Sequence, residues 1–246
     1  MKRAAGLRTL VVEDAGELNR AAADVASEVI EAKPTASVVA ATGRTPMGLY
    51  AELSARRARG METERITAFQ LDEYLGLAAD DRRSLFGWMS RSFLEPLGLG
   101  DERAVRLPTD GDLGSSCAWF DRAIEERGGL DLAILGLGPN GHLGFNEPPS
   151  GRDAPTRVVR LSPATIEANA RYWGDVADVP PAAVTMGLRQ ILAARTILLV
   201  ASGPAKRTIL RAALEGAVGP EVPASFLQVA PARVTAVVDR DAWGQP

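Results

Sequence analysis

Hydrophobic residues follow two alternating spacings along the chain. Short apolar runs rich in β-branched residues predict strands at residues 9–12, 37–41, 66–69, 130–135, 196–200 and 234–238. Between the strands, apolar positions recur at every third or fourth residue, which predicts helices at residues 17–32, 47–59, 84–97, 116–127, 163–173, 186–194 and 205–215. Such alternation is typical of a parallel sheet covered by helices on both faces. We therefore predict an α/β fold, a single-domain three-layer αβα sandwich over residues 1–246 with a mostly parallel, Rossmann-like sheet.

Polar or glycine-rich segments follow four of the predicted strands, at residues 42–45, 72–73, 136–147 and 202–206. Ligands of open α/β sheets bind outside the carboxyl ends of the strands, where these segments would meet. The sequence therefore predicts a binding site at this edge of the sheet.

Composition excludes several classes of partner. The net charge is −3 and no long basic stripe is present, so we expect no nucleic-acid partner. No run approaches the roughly 18 apolar residues of a membrane span, and we expect a cytoplasmic protein without a membrane partner. With one cysteine, Cys117, and one histidine, His142, the chain cannot form an intrachain disulfide or a common transition-metal site.

The most unusual stretch is residues 136–148, GLGPNGHLGFNEP, which holds the only imidazole. Its opening matches the G-x-G-x-x-G pattern of dinucleotide-binding loops, but poor helix-forming residues follow and no clear acidic residue lies about 20 positions later. We therefore expect no nicotinamide or flavin cofactor here. The alternatives are a solvated loop histidine or a rigid loop that presents His142 and Glu147, and the dense pattern favours the second.

Each of the other segments has a functional and a plain structural interpretation. In residues 42–46, Thr45 is predicted to cap a helix and Pro46 to occupy its first position. The free N–H groups at the start of this helix would bind an anion, or the segment is simply a well-capped helix without a ligand. Asp72 is either a buried general base or part of a solvated turn. Lys206, in the first turn of a helix, either binds an anion or faces solvent, and Arg171 alone is uninformative.

Taken together, six segments resemble the glucosamine-6-phosphate deaminase (isomerase) family, which is related to the 6-phosphogluconolactonases. They are residues 41–46, 69–77, 136–148, 156–158, 168–171 and 202–206, in the family's order and across nearly the whole chain. The third segment is highly specific, because the lactonases usually lack the F-N-E-P run after the histidine. The resemblance implies an enzyme that converts glucosamine 6-phosphate and water to fructose 6-phosphate and ammonia, with an amino-sugar phosphate as its small-molecule partner and no organic cofactor or metal.

The resemblance also implies roles for individual residues. His142 would open the sugar ring by moving a proton at the ring oxygen, and Glu147 together with Asn140 would orient and polarise the imidazole. Asp72 would then shuttle a proton between C2 and C1 through an enediol-type intermediate. The implied phosphate site consists of Thr42, Gly43, Arg44, Thr45, Arg171 and Lys206.

Two departures from the family pattern leave alternatives open. Asn140 replaces an aspartate found in many members, so His142 should be less basic unless Glu147 compensates. Arg44 stands where glycine or serine is commoner, and would add a cation or narrow the pocket. A sugar-phosphate lactonase, a deaminase for another amino-sugar 6-phosphate and a non-catalytic sensor are the competing functions, and the chain is either a monomer or a homo-oligomer.

Overall fold

A parallel sheet of seven strands forms the centre of the computed structural model, which describes residues 7–78 and 81–244. The described strands are β1 (Arg8–Val12), β2 (Ser37–Ala40), β3 (Thr67–Gln70), β4 (Asp72–Tyr74), β5 (Ala104–Val105), β6 (Leu132–Gly136), β7 (Arg157–Arg160), β8 (Ala182–Thr185), β9 (Thr196–Ala201) and β10 (Val234–Asp239). The large sheet has the order β1-β10-β9-β6-β2-β3-β5, and all of its pairings are parallel. The chain winds outward from β2 to β5 and returns to β6 beside β2, so the winding direction reverses there and opens a crevice.

Helices cover both faces of this sheet. The described α-helices are α1 (Ala15–Ala32), α2 (Met47–Ala58), α3 (Leu85–Met89), α4 (Leu113–Glu126), α5 (Pro163–Trp173), α6 (Leu188–Ala193), α7 (Arg207–Glu215) and α8 (Arg240–Trp243). Asp14 begins α1 by accepting a hydrogen bond from the Glu17 backbone N–H at 2.8 Å. Among these helices, none combines the length and apolarity that a membrane crossing requires.

Successive residues of the buried strands point to opposite faces, which divides the core into two layers. Val38 of β2 packs in one cluster with side chains of α1 and α2, whereas Val39 packs in another with side chains of α4, α6 and α7. All four residues of β2 are buried, as expected for a parallel strand covered on both faces. The predicted three-layer α/β/α architecture with a mostly parallel sheet is confirmed.

A second, antiparallel sheet of three strands, in the order β4-β8-β7, was not predicted. Its strands are only three or four residues long, and charged residues such as Glu73 and Arg157 interrupt any apolar run. Only Leu71 separates β3 from β4, so the chain leaves the large sheet and enters the small one at Asp72. Apolar side chains that include Tyr74, Phe145 and Trp173 form a separate cluster with this sheet.

The prediction that Thr45 caps the second helix and Pro46 opens it was wrong. Pro46 itself occupies the cap position with a φ of −79° and no side-chain capping hydrogen bond, and α2 begins at Met47. The Met47 N–H donates to the Arg44 carbonyl at 3.3 Å, so a turn precedes the helix. This turn takes up Thr45 and Pro46, so Thr45 lies one residue before the cap position of α2.

The predicted helix at residues 84–97 changes type along its length. After α3 the chain continues as a π-helical turn (Ser90–Leu94) and a 3₁₀ turn (Glu95–Leu97). Pro96 has no backbone N–H for regular helical bonding, which is consistent with an irregular end.

Adjacent aromatic residues of α4 give a direct test of the core. Phe120 is fully buried and packs edge-on against Phe69 with ring centroids 5.8 Å apart, whereas Trp119 is 54% exposed. We predict that Phe120→Ala lowers the free energy of unfolding by about 3–5 kcal/mol, because it removes a buried ring and leaves a cavity. The control Trp119→Ala should change it by less than about 0.5 kcal/mol in the same urea titration. Equal losses would contradict the described packing of α4.

Candidate active site

Loops from the carboxyl edge of the large sheet meet around a cavity of about 190 Å³. It lies where the winding direction reverses between β2 and β6, and the helix α5 and strand β4 of the small sheet also contribute to its wall. The predicted site residues that line it are Thr42, Gly43, Arg44, Thr45, Asp72, His142, Arg171 and Lys206. Segments separated by up to 164 positions therefore converge, as the polar ends of the strands predicted.

Asp72 is the buried acid of the cavity, with 6% of its surface exposed. Burial, followed by the adjacent charge of Glu73, raises the pKa of its carboxyl to about 7, while the Thr42 hydroxyl acts in the opposite direction. Its Oδ1 has no hydrogen-bond partner among the described residues. The solvated-turn interpretation is therefore wrong, and Asp72 is poised to bind and release a proton near neutral pH.

The glycine-rich loop after β6 holds His142 against its own backbone. A Cβ at Gly138 would lie 2.1 Å from the imidazole, so only glycine at this position allows the ring to approach so closely. The Gly138 N–H donates to the His142 carbonyl at 3.0 Å, which closes the loop. His142 therefore stands in a fixed position in the cavity wall rather than on a solvated loop.

Asn140 and Glu147 lie outside the cavity lining, and neither side chain makes a hydrogen bond to the imidazole of His142 in the described chain. Asn140 Oδ1 accepts a hydrogen bond from the His142 backbone N–H at 3.3 Å, so its contact is with the main chain and not with the imidazole predicted as its partner. Glu147 Oε2 accepts from the Ser162 N–H at 3.0 Å, whereas Glu147 Oε1 and His142 Nδ1 are both buried without a hydrogen-bond partner in the described chain.

The imidazole of His142 is less basic than usual. Burial lowers its pKa to about 4, the charge of Glu147 raises it, and the ammonium of Lys206 lowers it further. We expected a weakly basic imidazole because Asn140 replaces an aspartate, but the lowering described here comes first from desolvation and leaves the effect of Asn140 a prediction. His142 is therefore neutral at pH 7, and one ring nitrogen can accept a proton while the other donates.

Three cationic side chains, those of Lys206, Arg171 and Arg44, line the same cavity. Lys206 Nζ donates to the Leu137 carbonyl at 2.6 Å, which joins the segment after β9 to the segment after β6. Burial and the nearby Arg171 lower the pKa of Lys206. Arg171, near the end of α5, lies over the ring of Tyr172 at 4.8 Å, and Arg44 approaches from the loop after β2. Cations held close together in one wall favour a doubly charged anion.

The loop after β2 places backbone and hydroxyl groups beside these cations. Gly43 has a φ of +103°, a conformation that glycine adopts without strain. Thr42 and Thr45 are partly exposed and line the cavity together with Gly43. Although Thr45 is not a helix cap, the loop thus offers polar groups to a ligand at the predicted place.

Sequence reasoning missed several residues of the cavity wall. Tyr74, Trp88 and Tyr172 supply aromatic surface, and Thr165 and Asn169 lie one turn apart on α5. The spacing of Thr165 and Asn169 is a recognisable signal for a shared helix face, but the strand that brings Tyr74 here was not predicted.

Metal ligands are not clustered in the part of the chain that the structure describes. Within residues 7–78 and 81–244, no group of three or more His, Cys, Asp or Glu side chains is arranged to hold a metal ion.

Comparison with known proteins gives one consistent family. The sequence profile of the glucosamine-6-phosphate isomerases/6-phosphogluconolactonase family matches residues 13–236. A glucosamine-6-phosphate deaminase of Halalkalibacterium halodurans is 39% identical over 229 residues, which cover 92% of each chain. A glucosamine-6-phosphate deaminase of Bacillus velezensis is also 39% identical, over 93% of this chain and 95% of the relative.

Solved structures agree with the sequence comparison. A structure described as a monomeric glucosamine-6-phosphate deaminase of the NagB superfamily superposes with a TM-score of 0.91 and 35% identity, covering 96% of this chain and 98% of its own. The 6-phosphogluconolactonase of Trypanosoma cruzi has a TM-score of 0.74 and 20% identity over 96% of this chain and 95% of its own, and so shares the fold. The chain belongs to the family of glucosamine-6-phosphate isomerases and 6-phosphogluconolactonases.

Proposed function

We propose that this protein is a glucosamine-6-phosphate deaminase, which converts glucosamine 6-phosphate and water to fructose 6-phosphate and ammonia. The observation that carries the proposal is one cavity in which a buried carboxyl, Asp72, and the only imidazole, His142, share the wall with the cations Arg171 and Lys206. An amino-sugar phosphate needs proton transfer at one end and anion binding at the other. Because both sheets contribute to this cavity, we treat residues 1–246 as one functional domain.

Ring opening is the first step of the proposed reaction. The neutral imidazole of His142 moves a proton to the ring oxygen as the C1–O5 bond breaks and the C1 hydroxyl gives up its proton. Glu147 stabilises any positive charge that develops on the ring, since its carboxylate raises the pKa of His142. Asn140 acts through the backbone of His142, which fixes where the imidazole stands.

Isomerisation is the second step, and Asp72 performs it. Its carboxylate removes the C2 proton as the C1 carbonyl oxygen takes up a proton from water, which gives an enolamine, the nitrogen counterpart of an enediol. Asp72 then returns its proton to C1 as the amino group releases a proton to water, which leaves an imine at C2. Water adds to this imine, and the C2–N bond breaks to release ammonia and form the C2 ketone. A base that must both take and give a proton works best with a pKa near the working pH, which the buried Asp72 fulfils.

Phosphate binding orients the open sugar chain. Lys206 and Arg171 neutralise the phosphate, and the loop residues Thr42, Gly43, Arg44 and Thr45 surround it with polar groups. Since the phosphate is remote from C1 and C2, its binding energy serves to hold those carbons beside Asp72. All of these groups come from one chain, so the proposed site requires no second subunit.

Ammonia release from glucosamine 6-phosphate, measured beside hydrolysis of 6-phosphogluconolactone, tests the proposal. The expected result is ammonia release in stoichiometric amounts with fructose 6-phosphate, and no lactone hydrolysis above the uncatalysed rate. Galactosamine 6-phosphate in the same assay measures selectivity at C4. Lactone hydrolysis without ammonia release would overturn the proposal.

Replacing Asp72 by asparagine should separate catalysis from binding. We predict that Asp72→Asn lowers kcat by about 10²- to 10⁴-fold, because the amide cannot take the C2 proton. The affinity for fructose 6-phosphate, measured by calorimetry, should change little. The exposed Asp110 provides a matched control, since Asp110→Asn alters the same functional group away from the cavity. Near-normal turnover by purified Asp72→Asn would remove Asp72 from the mechanism.

Removing the ammonium of Lys206 should weaken substrate binding. We predict that Lys206→Ala raises the KM for glucosamine 6-phosphate by about tenfold or more. The reason is that the substitution removes a charge-assisted hydrogen bond to the phosphate, which is worth at least about 1.4 kcal/mol. The neighbouring Arg207 is exposed and donates to the Asp241 carbonyl, so Arg207→Ala is the control and should leave KM unchanged. An unaltered KM in Lys206→Ala would argue against the phosphate anchor.

The pH dependence of kcat should report Asp72. Because the carboxyl must be ionised to accept the C2 proton and its pKa is about 7, kcat should fall as pH decreases through about 7. His142, with a pKa of about 4, stays neutral from pH 5 to 8 and adds no inflection there. The measurement is kcat at saturating substrate from pH 5 to 9. A flat profile between pH 6 and 8 would contradict the assignment.

A further inference from the structure

Glu73 is a buried carboxylate that lies outside the cavity but next to its base. It is 4% exposed, and its two oxygens accept four hydrogen bonds. Oε1 accepts from the Tyr74 and Leu85 backbone N–H groups, both at 2.9 Å. Oε2 accepts from the Phe86 N–H and from Gln70 Nε2, both at 2.8 Å. Both oxygens of Glu73 thus act as acceptors, as those of a carboxylate do.

These bonds connect Glu73 to the elements that shape the cavity. Leu85 and Phe86 are the first two residues of α3, and this helix places Leu85 and Trp88 in the cavity wall. Gln70, a partner of Glu73, also donates to the Asp72 carbonyl at 3.1 Å. Its Oε1 accepts from the Leu107 N–H at 3.0 Å. Glu73 is thus the centre of a network that fixes β4 relative to α3 and β3.

Side chains alternate along β4, which separates the two adjacent carboxylates. Asp72 and Tyr74 line the cavity, whereas Glu73 does not. One strand therefore presents a base with an unpartnered Oδ1 on one side and a fully hydrogen-bonded carboxylate on the other. Environments that differ so much give neighbouring carboxyls different roles.

We propose that Glu73 is a positioning residue of the reaction, whose carboxylate fixes Asp72 and the start of α3 and places a negative charge beside the Asp72 carboxyl. The proposal rests on the proposed function, because it assigns to Asp72 the role of a base that returns its proton. Glu73 does not contact the cavity and so acts only through Asp72 and α3.

Electrostatics support this role. Burial is the first cause of the raised pKa of Asp72 and the charge of Glu73 is the second. The charge of Asp72 acts on two neighbouring hydroxyls, those of Tyr50 of α2 and Tyr74 of β4. The other titratable or charged groups that line the cavity with Asp72 are His142, Arg44, Arg171 and Lys206. Burial and the charge of Glu73 both favour the protonated form of Asp72, and the hydrogen bond from the Thr42 hydroxyl opposes them.

The kinetic test compares Glu73→Gln with Glu73→Asp. Glu73→Gln removes the charge, and the midpoint of the acid limb of the kcat profile should shift to lower pH by roughly one unit. Its kcat should also fall by about 10- to 100-fold, since an amide cannot accept all four hydrogen bonds and α3 is displaced. Glu73→Asp keeps the charge and should keep the midpoint, although kcat falls because the shorter side chain reaches fewer donors. Exposed Glu126 is the matched control, and Glu126→Gln should change neither quantity.

A second measurement does not depend on catalysis. The free energy of unfolding is determined from pH 4 to 9 for the natural chain and for Asp72→Asn. Because the pKa of Asp72 is raised on folding, the natural chain should lose stability relative to Asp72→Asn as pH rises, until the pH passes the folded pKa near 7. When both chains also carry Glu73→Gln, the pH at which this loss of stability ends, which is the upper limit of the effect, should be lower.

The outcomes separate this inference from the proposed function. A shift of the upper limit in the unfolding comparison supports the role of Glu73 even if no ammonia is released, in which case only the proposed function fails. An unchanged midpoint in Glu73→Gln, by either method, overturns the proposal. If Glu73→Gln does not fold, the test relies on Glu73→Asp, which retains the charge. A lower pH midpoint for Asp72 in Glu73→Asp would also overturn the proposal.

Discussion

Burial of one carboxyl at the junction of two sheets is the constraint on which the site depends. Asp72 stands where the chain leaves the parallel sheet after β3 and enters the antiparallel sheet as β4. An ionised carboxylate in such a place is costly unless it is fully hydrogen-bonded, and Asp72 keeps an unpartnered oxygen. Burial therefore raises the pKa of the Asp72 carboxyl to about 7, and the group exchanges protons near neutral pH.

The remaining parts of the site follow from the topology of the large sheet. The winding direction reverses between β2 and β6, and the loops after these strands diverge to leave space for a ligand. The loop after β2 offers polar groups to an anion, the loop after β6 carries His142, and the segment after β9 adds Lys206. A parallel sheet thus collects residues that are far apart in sequence, and the small sheet closes the cavity by adding β4.

The sequence predicted six of the seven strands of the large sheet, because most of them are buried on both faces, whereas the two-residue edge strand β5 was not predicted. Runs such as residues 196–200 are apolar at nearly every position, so β9 is recognisable without any partner strand. The small sheet has no such signal, since β4 consists of Asp72, Glu73 and Tyr74, and their burial depends on tertiary contacts. For the same reason the aromatic part of the cavity wall was missed.

Within the site, residue types and spacing predicted which side chains meet but not how they touch. The position of Asn140 suggested a contact with the imidazole, whereas its amide contacts the backbone of His142. The basicity of His142 depends chiefly on desolvation, which a linear sequence does not display. Thr45 was expected to cap a helix because its residue type suits that position, but Pro46 places it one residue too early.

A crystal structure with fructose 6-phosphate bound tests most directly whether one cavity holds both ends of the sugar. The Asp72 carboxyl is expected about 3–3.5 Å from C1 and C2, with the phosphate against Lys206 and Arg171. A phosphate bound beside Asp72, or a sugar bound away from His142, would contradict the proposed arrangement.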